Sequence, residues 1–67
     1  MTNEQLINEI NNIPACYAQM VGNHIEVSYR AKKEKRVFIR NGEVSVNHES
    51  LTAIACQIAE KFNLVKI

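Results

Sequence analysis

Val37-Phe38-Ile39-Arg40-Asn41-Gly42-Glu43-Val44-Ser45-Val46 is the stretch that decides the fold. Apolar and polar residues alternate on both sides of Asn41-Gly42, and an Asn-Gly pair suits a type I′ turn, whose two central residues both need positive φ. The segment is therefore expected to be a tight antiparallel hairpin, with Ile39 opposite Val44 and Val37 opposite Val46. Period-2 alternation puts Val37, Ile39, Val44 and Val46 on one face and Phe38, Arg40, Glu43 and Ser45 on the other.

Working backwards, the same period runs through residues 16–29. Gly22-Asn23 offers a second two-residue turn. It would pair Val21 with His24, Met20 with Ile25, Ala18 with Val27 and Cys16 with Tyr29. Ala31–Lys35 reads as a polar loop joining the two hairpins. A loop of that length would set Tyr29 against Val37 and Val27 against Ile39. One sheet face then collects Cys16, Ala18, Met20, Ile25, Val27, Tyr29, Val37, Ile39, Val44 and Val46. A one-residue slip anywhere would break that set.

The flanking segments switch to helical period. Thr2 with Gln5 forms a capping box, and Leu6, Ile7, Ile10 and Ile13 share a face that Pro14 brings to an end. Leu51, Ile54, Ala55, Ile58, Ala59 and Phe62 form a second apolar stripe, with Asn63 as a left-handed stop. Leu64–Ile67 either folds back on the core or adds a short strand. The expected fold is α+β: a single two-layer domain over residues 1–67, α-β-β-β-β-α, with an antiparallel meander and both helices on one face. If the Gly22-Asn23 turn fails, residues 16–21 become loop and the order is α-β-β-β-α.

The α-β-β-β-α variant shares the topology of double-stranded RNA-binding domains. Those need a lysine-rich start to the last helix, whereas Asn47–Leu51 is neutral to acidic, which excludes membership. In element order alone, four strands and a following helix are similar to PUR-type single-strand binders.

The chain carries eight basic and seven acidic residues, a net charge of +1, so no global bias toward nucleic acid exists. The distribution is uneven. Arg30, Lys32, Lys33, Lys35, Arg36 and Arg40 are all within positions 30–40. In the expected register Arg40 lies between Glu26 and Glu43, and its charge is spent there. Tyr17, Ser28, Phe38 and Ser45 form a solvent-facing row whose aromatics could stack bases. Arg30 and Arg36 face each other, and with Lys32, Lys33 and Lys35 they make one positive end of the sheet. The nucleic-acid-binding candidates are thus Arg30, Lys32, Lys33, Lys35, Arg36, Tyr17 and Phe38.

Catalytic motifs are missing. Cys16, His24, His48 and Cys56 fit no standard zinc spacing. No histidine is placed to activate Ser28, Ser45 or Ser50, and two glycines cannot build a phosphate loop. No enzyme activity, metal or cofactor is expected. No run of 18 apolar residues spans a membrane, no signal peptide is visible, and two cysteines make no disulfide framework. The expected protein is a cytoplasmic binding module. Its partner is a nucleic acid at the basic hairpin end and open sheet face. The alternative is an interaction module, an inhibitor or adaptor that docks an acidic protein surface or dimerises through the open face.

Overall fold

The computed structural model describes residues 1–30 and 34–67. Its elements are α1 (Asn3–Ile10), β1 (Cys16–Val21), β2 (His24–Tyr29), β3 (Arg36–Arg40), β4 (Glu43–Val46), a 3₁₀ turn (Glu49–Leu51), α2 (Thr52–Lys61) and β5 (Val65–Lys66). The five strands form one sheet in the order β1-β2-β3-β4-β5. The first four make an antiparallel meander and β5 joins β4 in parallel. Residues 16–21 are a strand, and Leu64–Ile67 takes the extra-strand alternative.

Both turns form where the sequence places them. Asn41 and Gly42 have φ of 52° and 78°, the two positive values of a type I′ turn. Gly22 has φ 62°, and the β1–β2 register has Cys16 opposite Tyr29 and Val21 opposite His24. The β3–β4 register has Val37 opposite Val46 and Ile39 opposite Val44.

The β2–β3 register differs from expectation. Val27 faces Val37 and Ile25 faces Ile39, with Ser28 opposite Arg36. The expected pairs, Tyr29 with Val37 and Val27 with Ile39, are displaced by two residues. A two-residue shift leaves every side chain on its own face, so the apolar pattern cannot distinguish the two registers. Local groups decide instead. Arg30 adopts φ 55° and its N–H donates to the Ala15 carbonyl at 2.9 Å, which ends β2 early. The Asn47 carboxamide brackets the start of β3: Oδ1 accepts from Arg36 N–H at 2.8 Å, and Nδ2 donates to the Glu34 carbonyl at 2.8 Å. The connection is longer than the expected Ala31–Lys35 loop, part of which lies outside the described residues.

α1 begins at the expected Thr2–Gln5 capping box. It ends at Ile10, before Pro14. Asn11 caps it, and two i→i+3 bonds, Asn12 N–H to Glu9 and Ile13 N–H to Ile10, tighten the chain so that Ile13 still reaches the core. At the other end His48 caps the 3₁₀ turn, its Nδ1 accepting from Ser50 N–H. α2 stops at Asn63, φ 57°, and Leu64 N–H returns to the Ala59 carbonyl at 2.8 Å. That turn aims Val65 along β4, where Val65 N–H meets the Gly42 carbonyl and Ile67 N–H the Val44 carbonyl.

The core sits between the helices and one sheet face. Ile10, Ile25, Val27, Val37, Val44, Leu51 and Ile58 are its largest fully buried side chains. Tyr29 and Val46, on the same sheet face, are half-buried. Met20 shares that face but is 44% exposed on the outermost strand. Among the described residues no helix is long and apolar enough to cross a membrane.

Candidate nucleic-acid interface

The open face of the sheet is built in rows by the strand registers. The row nearest the β2–β3 connection holds Tyr17, Ser28 and Arg36, through the pairs Tyr17–Ser28 and Ser28–Arg36. Asn47 extends it, donating its N–H to the Arg36 carbonyl. Tyr17 is 59% exposed, so its ring is free to stack. The sequence placed Phe38 in this row and Arg30 across from Arg36. The observed β2–β3 register replaces Phe38 with Arg36, and puts Ser28 opposite Arg36 in place of Arg30.

The middle row holds Gln19, Glu26, Phe38 and Ser45. Glu26 is the hub of the polar contacts here. Its Oε2 lies 2.9 Å from His24 Nε2 and its Oε1 lies 4.0 Å from Arg36 Nε. The His24 ring in turn tilts over Phe38, with centroids 6.0 Å apart. His24, Glu26, Phe38, Arg40 and Ser45 together line a shallow recess. Phe38 is half-buried here beside a carboxylate, which is poor company for a phosphate.

Arg40 pairs across the strand with Glu43. Glu26, its other expected carboxylate neighbour, lies opposite Phe38 instead. Arg40 is exposed at this turn end of the face, with Glu43 as its cross-strand backbone neighbour in place of the two charge-pairing carboxylates expected.

The basic end lies beyond the first row. The Arg30 guanidinium sits 5.2 Å from the centroid of the Tyr29 ring, a cation–π contact. Lys35 is half-buried beside Arg36, whose Nη1 donates to the Lys35 carbonyl at 3.2 Å. Lys32 and Lys33 belong to the same segment by sequence and lie outside the described residues. From Arg30 to Arg36, five basic residues accompany only Glu34, a local charge of +4 in a chain of net +1.

Cys16, His24, His48 and Cys56 do not converge. Cys16 is in the core, Cys56 is exposed on α2, His24 is on the open face and His48 caps the 3₁₀ turn. Among the described residues no three His, Cys, Asp or Glu side chains gather into a metal-binding group. Burial pushes the Cys16 thiol above its ordinary value. Sequence reasoning missed the Glu26 hub, whose Arg36 contact needs the observed β2–β3 register, and the Asn47 bracket, whose side-chain bonds leave no trace in the apolar spacing. No protein-family model matches the chain, and neither a curated protein nor a solved structure does.

Proposed function

We propose that the protein is a small non-enzymatic nucleic-acid-binding module that works through the β2–β3 end of its sheet. The supporting observation is the alignment of Tyr17, Ser28 and Arg36 in the row that adjoins the +4 segment. Arg30, Lys32, Lys33, Lys35 and Arg36 contact phosphates, and Tyr17 stacks a base. Phe38 drops out of the contact set, since His24 and Glu26 occupy its surroundings.

The test is fluorescence anisotropy with labelled single-stranded DNA and RNA at varied salt. Five phosphate contacts on a single strand give a slope of log K against log salt of about −3.5, at about −0.7 per contact. Tyr17→Ala weakens binding by about 1–3 kcal/mol, whereas Phe38→Ala leaves it unchanged. Reversing Lys32, Lys33 and Lys35 to Glu abolishes it. Failure to bind any oligonucleotide at low salt would sink the reading.

One observation favours a second reading. The open face balances Glu26 and Glu43 against Arg36 and Arg40, a mixed polar surface suited to a protein partner. On that reading the positive end docks an acidic protein surface, and the charge-reversed variant loses that partner while no oligonucleotide binds wild type.

A further inference from the structure

β1 is an edge strand whose own side chains carry none of the usual defences. Cys16-Tyr17-Ala18-Gln19-Met20-Val21 contains no charge, no proline and no glycine. Edge strands in monomeric proteins are normally blunted by such residues. Three of the six side chains are large, apolar and exposed: Tyr17 at 59%, Met20 at 44% and Val21 at 36%.

The backbone of this edge is only partly occupied. Val21 and His24 flank a two-residue turn and bond to each other, so the alternate residues Cys16, Ala18 and Met20 aim their N–H and C=O groups outward. Cys16 N–H is held by the Ile13 carbonyl. At Ala18 the Asn11 carboxamide imitates a neighbouring strand. Its Oδ1 accepts from Ala18 N–H at 2.7 Å and its Nδ2 donates to the Ala18 carbonyl at 3.5 Å. Among the described residues no such plug serves Met20.

We infer that β1 pairs antiparallel with β1 of a second copy, about a two-fold axis at Gln19, once Asn11 swings off Ala18. This register is self-complementary. It sets Ala18 opposite the second copy's Met20, so the outward backbone groups of both bond to each other. On the open face it sets Tyr17 opposite the second copy's Val21, an aromatic–β-branched pair of the favourable kind. Gln19 meets its own copy at the axis, where two carboxamides bond without charge. Each exposed apolar side chain of β1 thereby finds a neighbour.

Charge argues for the same arrangement. An uncharged strand can meet itself without repulsion. Antiparallel pairing also puts the Cys16 end of one copy beside the Val21 end of the other, so the two +4 ends point to opposite sides of the joined sheet. Tyr17 keeps its ring on the open face, and the inference does not depend on nucleic-acid binding.

Such an edge-to-edge contact is small, and small interfaces are weak. Sedimentation equilibrium from roughly 10 µM to roughly 1 mM covers the affinity range expected. Wild type dimerises within it, and NMR shows concentration-dependent protection of the Met20 and Ala18 amides from exchange. Gln19→Lys and Gln19→Glu, both at an exposed position, each weaken association at least about tenfold, because like charges meet at the axis. Mixing the two variants restores it. Asn11→Ala removes the plug and tightens association several-fold. A wild type that stays monomeric at the upper concentration overturns the inference. So does association that is indifferent to Gln19→Lys, or that is lost in both Gln19 variants and not recovered on mixing. Dimerisation abolished by Phe38→Ala with the Met20 amide unprotected would assign the interface to the open face instead.

Discussion

Cys16 and Cys56 show how one residue type acquires two chemistries from position alone. Cys16 opens β1 with its side chain in the core, and Cys56 sits on the outer side of α2. Desolvation disfavours the thiolate, so Cys16 ionises above its ordinary value of 9.0. An aromatic disulfide reagent at neutral pH therefore titrates one thiol per native chain, Cys56, and two after denaturation. Two thiols reacting at equal native rates would contradict the burial. The sign of the stability effect follows. The folded state holds the Cys16 proton more tightly than the unfolded state, so this contribution is intact below the unfolded thiol value and lost as pH rises past it. Urea titrations between about pH 8 and about pH 10 show stability falling. In Cys16→Ala, less stable throughout, that fall is shallower.

At the scale of elements, the hairpin of β2 and β3 depends on groups outside both strands. Asn47 follows β4 in sequence yet fixes where β3 starts, through bonds to Arg36 and Glu34. Asn47→Ala removes two short hydrogen bonds at an exposed site and costs about 1 kcal/mol. Its sharper signature is local: faster hydrogen exchange at the Arg36 amide, with the Asn41-Gly42 hairpin unchanged. The same dependence explains what the sequence could and could not reveal. Asn41-Gly42 and Gly22-Asn23 each fix a register with two adjacent residues, so both hairpins were legible. The β2–β3 register was not, because its two candidate alignments differ by two residues and bury the same faces. Among the described residues, the Arg30 bond to Ala15 ends β2 and the Asn47 bonds hold the start of β3, and neither follows from spacing. The candidate site inherited that error: β3 stands one row from its expected place, so Arg36 takes Phe38's row beside Ser28 and Tyr17, and Phe38 takes Arg40's row beside Glu26. The fifth strand was open for a similar reason, since two residues carry no readable period.

For the whole molecule, one core joins both helices to the inner sheet face. Ile58 lies at its centre, fully buried. A chain of 67 residues has a total stability of roughly 3–10 kcal/mol, at about 0.05–0.15 kcal/mol per residue. Ile58→Ala costs about 2–5 kcal/mol, a large share of that total, so thermal melts by circular dichroism show a markedly lower midpoint. Thr52→Ala, at an exposed site on the same helix, changes the midpoint little. A core this small also makes association consequential: any contact formed by the native state alone adds stability that grows with the logarithm of protein concentration.

The left-handed backbone at Arg30 bears on what that residue is for. Positive φ is costly for a long L side chain and nearly free for glycine. Ala15, whose carbonyl receives the Arg30 N–H, is also left-handed, with φ 67°. Two strained residues thus brace each other where a Gly–Gly pair would close the same joint at lower cost. Arg30→Gly raises stability by about 0.5–1 kcal/mol and, on the proposed nucleic-acid reading, weakens affinity for oligonucleotides. Opposite signs in the two assays would mark Arg30 as a point of trade-off, where folding strain is tolerated in exchange for a cation displayed at the working end of the sheet.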